Sequence, residues 1–174
     1  MREYIDEAII LNKRASGHQD ARYSIFTKRF GKMTAKATSS RKITSKLAGH
    51  LEPGTIAHVR LIEQHGLQVV DALRQDSVLG TPAANGRSLA NLALLDRLLA
   101  ESEPEVAIWA LARQATFHWP AILRTLGWDP AEAICSMCGA HPVAGFSIAR
   151  QDFFCGRCVM RLPITDRLIL RSEI

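Results

Sequence analysis

The sequence predicts a mixed α+β protein in which a β-rich N-terminal half precedes a helical half that carries a cysteine cluster. Three observations lead to this fold class. Short runs rich in β-branched residues fill the first half, helical periodicity follows them, and all four cysteines lie between residues 135 and 158. The predicted domains are residues 1–78 and residues 79–174.

Five apolar runs in the first half predict five β-strands. They read EAIIL, YSIFTKR, KMTAKAT, TIAHVRLIEQ and LQVVDAL in chain order. Gly31 separates the second run from the third, and His65–Gly66 separates the fourth from the fifth, as hairpin turns require. Five short strands in about 75 residues predict a small barrel, and the five-stranded OB-fold is the leading candidate.

The second half predicts a small helical domain. Residues 80–88 have the composition of a linker, and the leucines in SLANLALLDRLLA then recur at helical spacing. Ser102 and Glu105 have the spacing of a capping box, which predicts a second helix start. Pro120 predicts a kink or an end in the helix that follows.

The four cysteines form two C-x-x-C pairs, Cys135 with Cys138 and Cys155 with Cys158. Two such pairs predict a structural zinc site with four thiolate ligands, in an element spanning residues 131–160. Four ligands leave no open position for water, so a catalytic metal is not expected. A redox pair and four buried free thiols are the alternatives. His141 is expected to be a surface residue and not a ligand.

Basic residues are concentrated in the first half. Residues 1–75 contain 13 lysines or arginines against 7 acidic residues, whereas residues 76–174 contain 9 against 10. No acidic residue lies between Ala21 and Leu51, which favours a nucleic-acid surface over an ordinary solvated loop. The candidate DNA-binding residues are Arg22, Lys28, Arg29, Lys32, Lys36, Arg41, Lys42 and Lys46. The last three share a loop and are the first choice.

Two segments resemble the bacterial recombination mediator family RecO. The first begins EAIILNKRASGHQDARYSIFTKRFGK and ends in the pattern S-x-L-x-G-x-L-x-P at residues 45–53. The second, LRTLGWDPAEAICSMCG followed by FFCGRC, is similar to the stretch that leads into the family's zinc element. Family members generally continue with several helices, whereas only 16 residues follow Cys158 here. Contacts made by those helices would be missing.

The resemblance implies a non-enzymatic DNA-repair factor. Such proteins bind single- and double-stranded DNA and anneal complementary strands. They also help to load RecA onto DNA coated by single-stranded-DNA-binding protein (SSB), usually with the partner RecR. The sequence has no phosphate-binding loop, H-E-x-x-H or G-x-S-x-G motif, which agrees with the absence of an enzymatic role.

Two further hypotheses stay open at this point. The chain can be a binding module for RNA or the ribosome surface, since OB-folds bind RNA as readily as DNA. It can also be a remnant with reduced activity. Charges at Arg2, Glu3, Asp6 and Glu7 interrupt any signal peptide, and no apolar window is long enough to span a membrane. A cytoplasmic, nucleoid-associated protein without membrane contact is therefore expected.

Overall fold

The computed structural model describes residues 1–42, 45–78, 85–114 and 117–170, and the side chains of residues 85–88 are left out of the description. The chain forms two compact units, Met1–Phe117 and His118–Ile174. The predicted boundary after residue 78 lies between the last barrel strand and the first helix. The first compact unit extends beyond it to Phe117 and includes two helices. Most of the predicted linker at residues 80–88 lies outside the described residues.

Five strands close into a barrel in the first unit, in the order β1-β2-β3-β5-β4. They are β1 (Arg2–Ser16), β2 (Asp20–Thr27), β3 (Gly31–Ala37), β4 (Thr55–Glu63) and β5 (Leu67–Ser77). A short 3-10 turn at Ala48–His50 lies in the connection between β3 and β4. The strands β3 and β5 pair in parallel at Lys36 and Gln68, and the other neighbours pair antiparallel.

Strand alternation divides the side chains of β2 and β3 between the barrel interior and its outer face. Tyr23 and Ile25 of β2 are fully buried in the barrel core, as is Ala35 of β3. Arg22 on the outer face is exposed. The outer face of these two strands therefore carries the polar and charged side chains.

Two helices of the first unit cover part of this outer face. They are α1 (Asn85–Leu98) and α2 (Val106–Ala112). Phe26 points outward from β2 and is buried against Trp109 of α2, with the ring centroids 5.6 Å apart. The carboxylate of Asp96 in α1 accepts hydrogen bonds from Asn12, at 3.1 Å, and from Ser24. These contacts cover the outer face of β2 at Ser24 and Phe26, whereas Arg22 near the start of the strand is exposed.

The second unit contains short elements around the cysteines. These are α3 (Trp119–Thr125), β6 (Gly145–Ser147), β7 (Asp152–Phe154), α4 (Gly156–Val159) and β8 (Arg167–Ile169). The three strands form a sheet in the order β7-β6-β8. Phe146 of β6 packs between Trp128 and Phe153, with ring centroids 5.3 and 5.0 Å away. A side chain at Gly145 would overlap Val159, so β6 and α4 can approach closely only because this residue is glycine.

The predicted fold class is confirmed as mixed α+β with an N-terminal five-stranded sheet followed by helices. Two local predictions are wrong. Glu105 is the N-cap residue of α2 and no side chain caps that end, because Ser102 has a left-handed backbone and lies outside the helix. Pro120 lies in the first turn of α3, where a missing N–H costs nothing, and does not end a helix.

None of the helices within the described residues is long and apolar enough to cross a membrane.

Candidate nucleic-acid interface and metal centre

Three basic residues form a row across neighbouring strands of the barrel. Arg22 of β2 pairs directly with Arg14 of β1 on one side and with Lys36 of β3 on the other. Residues directly opposite each other in a sheet point to the same face, and Arg14 and Arg22 are exposed. Neighbouring strands are about 4.8 Å apart, so the Cα atoms of the three residues lie within about 10 Å. We call these three residues the basic row.

Two adjacent grooves flank the basic row. The larger groove, of about 470 Å³, lies between the row and helix α1. The smaller groove, of about 200 Å³, lies between the row and the turn that joins β4 to β5, at His65 and Gly66. Arg22 and Thr34 line both grooves. The two grooves therefore adjoin each other at Arg22 and Thr34.

The loop after β3 adds further positive charge at this end of the barrel. The guanidinium of Arg41 donates to the carbonyl oxygen of Gly17, at 3.2 Å, in the turn between β1 and β2. The backbone N–H of Arg41 donates to the carbonyl oxygen of Gln19, at 2.9 Å. Lys42 and Lys46 are exposed in the same loop, of which residues 43–44 lie outside the description. The first-choice loop residues thus lie next to the β1–β2 turn.

The other three predicted residues lie at the opposite end of β2 and β3. Lys28 and Arg29 are in the β2–β3 turn, and Arg29 pairs with the buried carboxylate of Asp6, at 3.1 Å. Lys32 lines the larger groove but is nearly buried, and its ammonium donates to the carbonyl oxygen of Asp96, at 2.7 Å. Arg29 and Lys32 therefore hold protein partners. The structure does not bring the eight predicted residues together on one surface.

The groove residues that sequence reasoning missed include Arg14, Thr34 and His65. Arg14 lies before Asp20 and so falls outside the acid-free segment that drew attention to the others. Only the register of β1 against β2 places it beside Arg22. Strand alternation could have found Thr34, which lies between Lys32 and Lys36 on the outer face of β3.

The aromatic side chains near the grooves belong to the protein interior. Tyr23 is fully buried in the barrel core, and Phe26 is fully buried against Trp109 on the outer face of β2. Phe30 is partly buried and makes an edge contact with Tyr4, with centroids 5.1 Å apart. These contacts favour structural roles for the three rings over stacking with bases.

One carboxylate moderates the charge of the basic row. Asp20 accepts a hydrogen bond from Lys36, at 2.7 Å, and another from the backbone N–H of Ser39, at 2.8 Å. The Lys36 ammonium, followed by the Ser39 N–H, lowers the pKa of Asp20 below its ordinary value of 3.8. Asp20 therefore stays ionised at neutral pH and neutralises Lys36 in part.

The four cysteine sulfurs in the second unit lie together, all within 4.8 Å of one another. The sulfur of Cys138 is 3.7 Å from that of Cys155 and 3.7 Å from that of Cys158. A tetrahedral site with metal–sulfur bonds of 2.3 Å has sulfur atoms about 3.8 Å apart. The observed spacing fits a four-coordinate metal ion, so the sequence-based grouping of the cysteines agrees with the geometry.

Two different local structures position the cysteines. The first pair lies in a tight turn, in which the N–H of Gly139 donates to the carbonyl oxygen of Cys135, at 2.8 Å, and Gly139 is left-handed with a φ of 69°. In the second pair, Cys155 caps α4 and Cys158 lies within it. Gly156 has space for a side chain, with Ala144 the nearest atom at 3.9 Å. Of Gly139 and Gly156, only Gly139 therefore has a backbone conformation that favours glycine.

Ionisation of the thiols differs within the cluster. The N–H of Cys155 is the main cause that lowers the pKa of Cys135 to about 6. Burial raises the pKa of Cys158 to about 12. A metal ion coordinated by thiols deprotonates them, so its positive charge would offset the burial of these sulfurs. The ring nitrogen Nδ1 of His141 lies 2.9 Å from the carbonyl oxygen of Ala133 and is outside the cluster.

Comparison with known proteins gives matches to both parts of the chain. A family model described as the N-terminal part of recombination protein O matches residues 1–75, which is the barrel. The DNA repair protein RecO of a Nocardioides species is 30% identical over 189 residues, covering 92% of this chain and 75% of that protein. Those of Myxococcus xanthus and Desulforudis audaxviator are 30% and 28% identical, covering 82% and 94% of this chain. This chain covers 66% and 73% of those two relatives.

Proposed function

The chain belongs to the RecO family of DNA repair proteins, and from this membership we propose that it binds DNA in repair and acts without catalysis. The observation that carries the proposal is the basic row with its two grooves. We assign the barrel to the OB class, whose strands 2 and 3 and flanking loops bind oligonucleotides. Here those strands carry the basic row, and the β1–β2 and β4–β5 turns border it.

Electrostatics favour a single strand of DNA as the ligand of the grooves. Lysine and arginine neutralise phosphates and release condensed counterions, which needs no recognition of bases. A single strand is flexible enough to follow the two adjoining grooves from α1 to the β4–β5 turn. The basic row contacts the phosphates, and the loop residues Arg41, Lys42 and Lys46 extend that contact beyond the barrel edge.

Annealing of complementary strands follows from the same surface. Two strands repel each other through their phosphates, and a surface that neutralises part of this charge lowers the barrier to their meeting. No covalent bond changes, so no catalytic residue is needed. The proposal extends, through the family resemblance alone, to double-stranded DNA, to RecA loading on SSB-coated DNA and to RecR as partner.

The four cysteines are proposed to bind one structural zinc ion. Cys135, Cys138, Cys155 and Cys158 supply four thiolates at tetrahedral spacing, which is the donor set of a closed zinc site. The ion would link the turn of the first pair to α4. Its role is to stabilise the second unit, since the strands β6, β7 and β8 and helix α4 have only three or four residues each and offer little stability alone.

The test is annealing of two complementary labelled oligonucleotides, one of them coated with SSB. The wild-type protein is expected to accelerate annealing, and a variant with Arg14→Gln, Arg22→Gln and Lys36→Gln is expected to lose most of that acceleration. A variant with Arg74→Gln, Arg150→Gln and Arg161→Gln serves as the charge-matched control, because these exposed residues do not belong to the row. Equal loss in both variants would overturn the assignment of the site.

A further inference from the structure

An acidic segment lies along the start of strand β3, at the border of the larger groove. Glu101 bridges with Lys32 in the manner of a parallel strand. The N–H of Ser102 donates to the carbonyl oxygen of Lys32, at 2.8 Å. The backbone of Glu103 lies so close to Gly31 that a side chain there would overlap it. These contacts fix the segment 101–103 against the barrel.

The carboxylate of Glu101 is held by groups that also suit a phosphate. Its Oε1 accepts a hydrogen bond from the hydroxyl of Thr34, at 3.0 Å. The ammonium of Lys32 lies 3.9 Å from the same oxygen. Thr34 is exposed and lines both grooves together with Arg22. One hydroxyl donor and one ammonium thus face an internal anion on the path assigned to DNA.

We propose that Glu101 is an internal competitor of DNA phosphate, which limits the affinity of the larger groove for a single strand. The inference rests on the proposed function and adds a residue that sets the strength of DNA binding. A phosphate near Thr34 would meet the negative charge of Glu101 and would find the hydroxyl already used. The groove then binds phosphate mainly at the basic row.

Weak binding at this position is consistent with annealing, which requires that strands leave the surface after pairing. A phosphate that replaced the carboxylate of Glu101 at Thr34 would also lie near the ammonium of Lys32, which adds one ionic contact. For a single strand, each such contact steepens the salt dependence of log K by about 0.7. The salt slope therefore reports directly whether the contact forms.

The experiment measures binding of a fluorescent oligo(dT) to the full chain over a range of salt concentrations. Glu101→Gln removes the charge and keeps the shape, and it is expected to tighten binding by at least about threefold at low salt. Its salt slope is expected to be steeper by up to about 0.7. Glu103→Gln is the matched control, because Glu103 is exposed and carries the same charge two residues away. It is expected to change binding much less.

A second check adds Thr34→Val to the wild-type protein and to the Glu101→Gln variant, so that it does not depend on the stability of one variant. Without the hydroxyl, the gain from Glu101→Gln is expected to shrink. Equal effects of Glu101→Gln and Glu103→Gln, or a gain that Thr34→Val leaves unchanged, would overturn the inference.

Failure of the proposed function gives a different result. If Arg22→Gln weakens binding while Glu101→Gln behaves like Glu103→Gln, only the role of Glu101 is wrong. If the wild-type chain does not bind oligo(dT) at any salt concentration, both the proposed function and the role of Glu101 are wrong.

Discussion

Arg22 and Lys36 lie directly opposite each other on strands β2 and β3, so two positive side chains share one face of the barrel. Like charges in this position destabilise a sheet. Arg14 adds a third positive charge on the far side of Arg22, and of these three residues Lys36 pairs with Asp20, at 2.7 Å. The arrangement is unfavourable for the isolated barrel, and a polyanion bound along the row would relieve it.

Replacing Arg22 is therefore expected to separate stability from binding. Arg22→Gln removes a like-charge pair and is expected to raise the free energy of unfolding by about 0.2–1 kcal/mol. The same change is expected to weaken oligo(dT) binding and to reduce the salt slope by about 0.7. Chemical denaturation and binding titrations check the two effects. Arg74→Gln, at an exposed position of β5, is the control and is expected to leave binding nearly unchanged.

Asp20 is expected to contribute pH-dependent stability. Its pKa is lowered in the folded protein by Lys36 first and by the Ser39 N–H second, so its contribution is present above the unfolded value. That contribution is lost as the pH falls through the folded pKa, below the ordinary value of 3.8. Asp20→Asn is therefore expected to be less stable than wild type at pH 7, with the difference fading below pH 3.8.

Denaturation in urea at several pH values measures this difference. In a Lys36→Gln background, Asp20→Asn is expected to lower the free energy of unfolding at pH 7 much less, because the main partner of the carboxylate is gone. A stability difference that persists unchanged at low pH would contradict the role assigned to the ionised Asp20.

Removal of the metal is expected to affect the second unit alone. Metal analysis of the purified chain is expected to find one zinc ion, and Cys158→Ser is expected to lower the zinc content and to unfold the cysteine element. Strand β2 and its neighbours contain no cysteine, so oligo(dT) binding by the barrel is expected to persist. His141→Ala is the control and is expected to retain zinc. Zinc loss in His141→Ala together with zinc retention in Cys158→Ser would show that the ligand set is wrong.

Two left-handed glycines provide a matched test of how the segment 101–103 packs on the barrel. Gly31 has a φ of 73° and its missing side chain would overlap Glu103, whereas Gly17 has a φ of 77° and open space around it. Alanine at either position is expected to lower the free energy of unfolding by about 1–2 kcal/mol, because the backbone is left-handed. Gly31→Ala is expected to lower the free energy of unfolding by about 1–3 kcal/mol more, because the added side chain overlaps Glu103. Thermal denaturation of both variants measures the difference, and equal losses would mean that the segment does not pack closely.

The sequence predicts the strands of the barrel and the grouping of the cysteines because both depend on local patterns. Alternating apolar residues and two glycine-containing turns are enough to define five strands. Paired C-x-x-C motifs predict the grouping of the cysteines by spacing alone.

The remaining features depend on tertiary contacts that no local pattern contains. Arg14 joins the basic row only through the register of β1 on β2. Lys32 lines the larger groove, but its ammonium is bound to the main chain of α1, at Asp96. The strands β6, β7 and β8 have three residues each, too few to show alternation. A basic residue in an acid-free segment is therefore a good candidate for DNA binding, but its exposure must come from the structure.

The most direct test of the central claim is an NMR titration of the isotope-labelled chain with oligo(dT), which locates the bound strand residue by residue. The account predicts shift changes concentrated at Arg14, Arg22, Thr34 and Lys36 and at the β4–β5 turn around His65. Residues of the β2–β3 turn, such as Arg29, are expected to change little. Shift changes confined to the second unit, or no change at saturating oligonucleotide, would contradict the account.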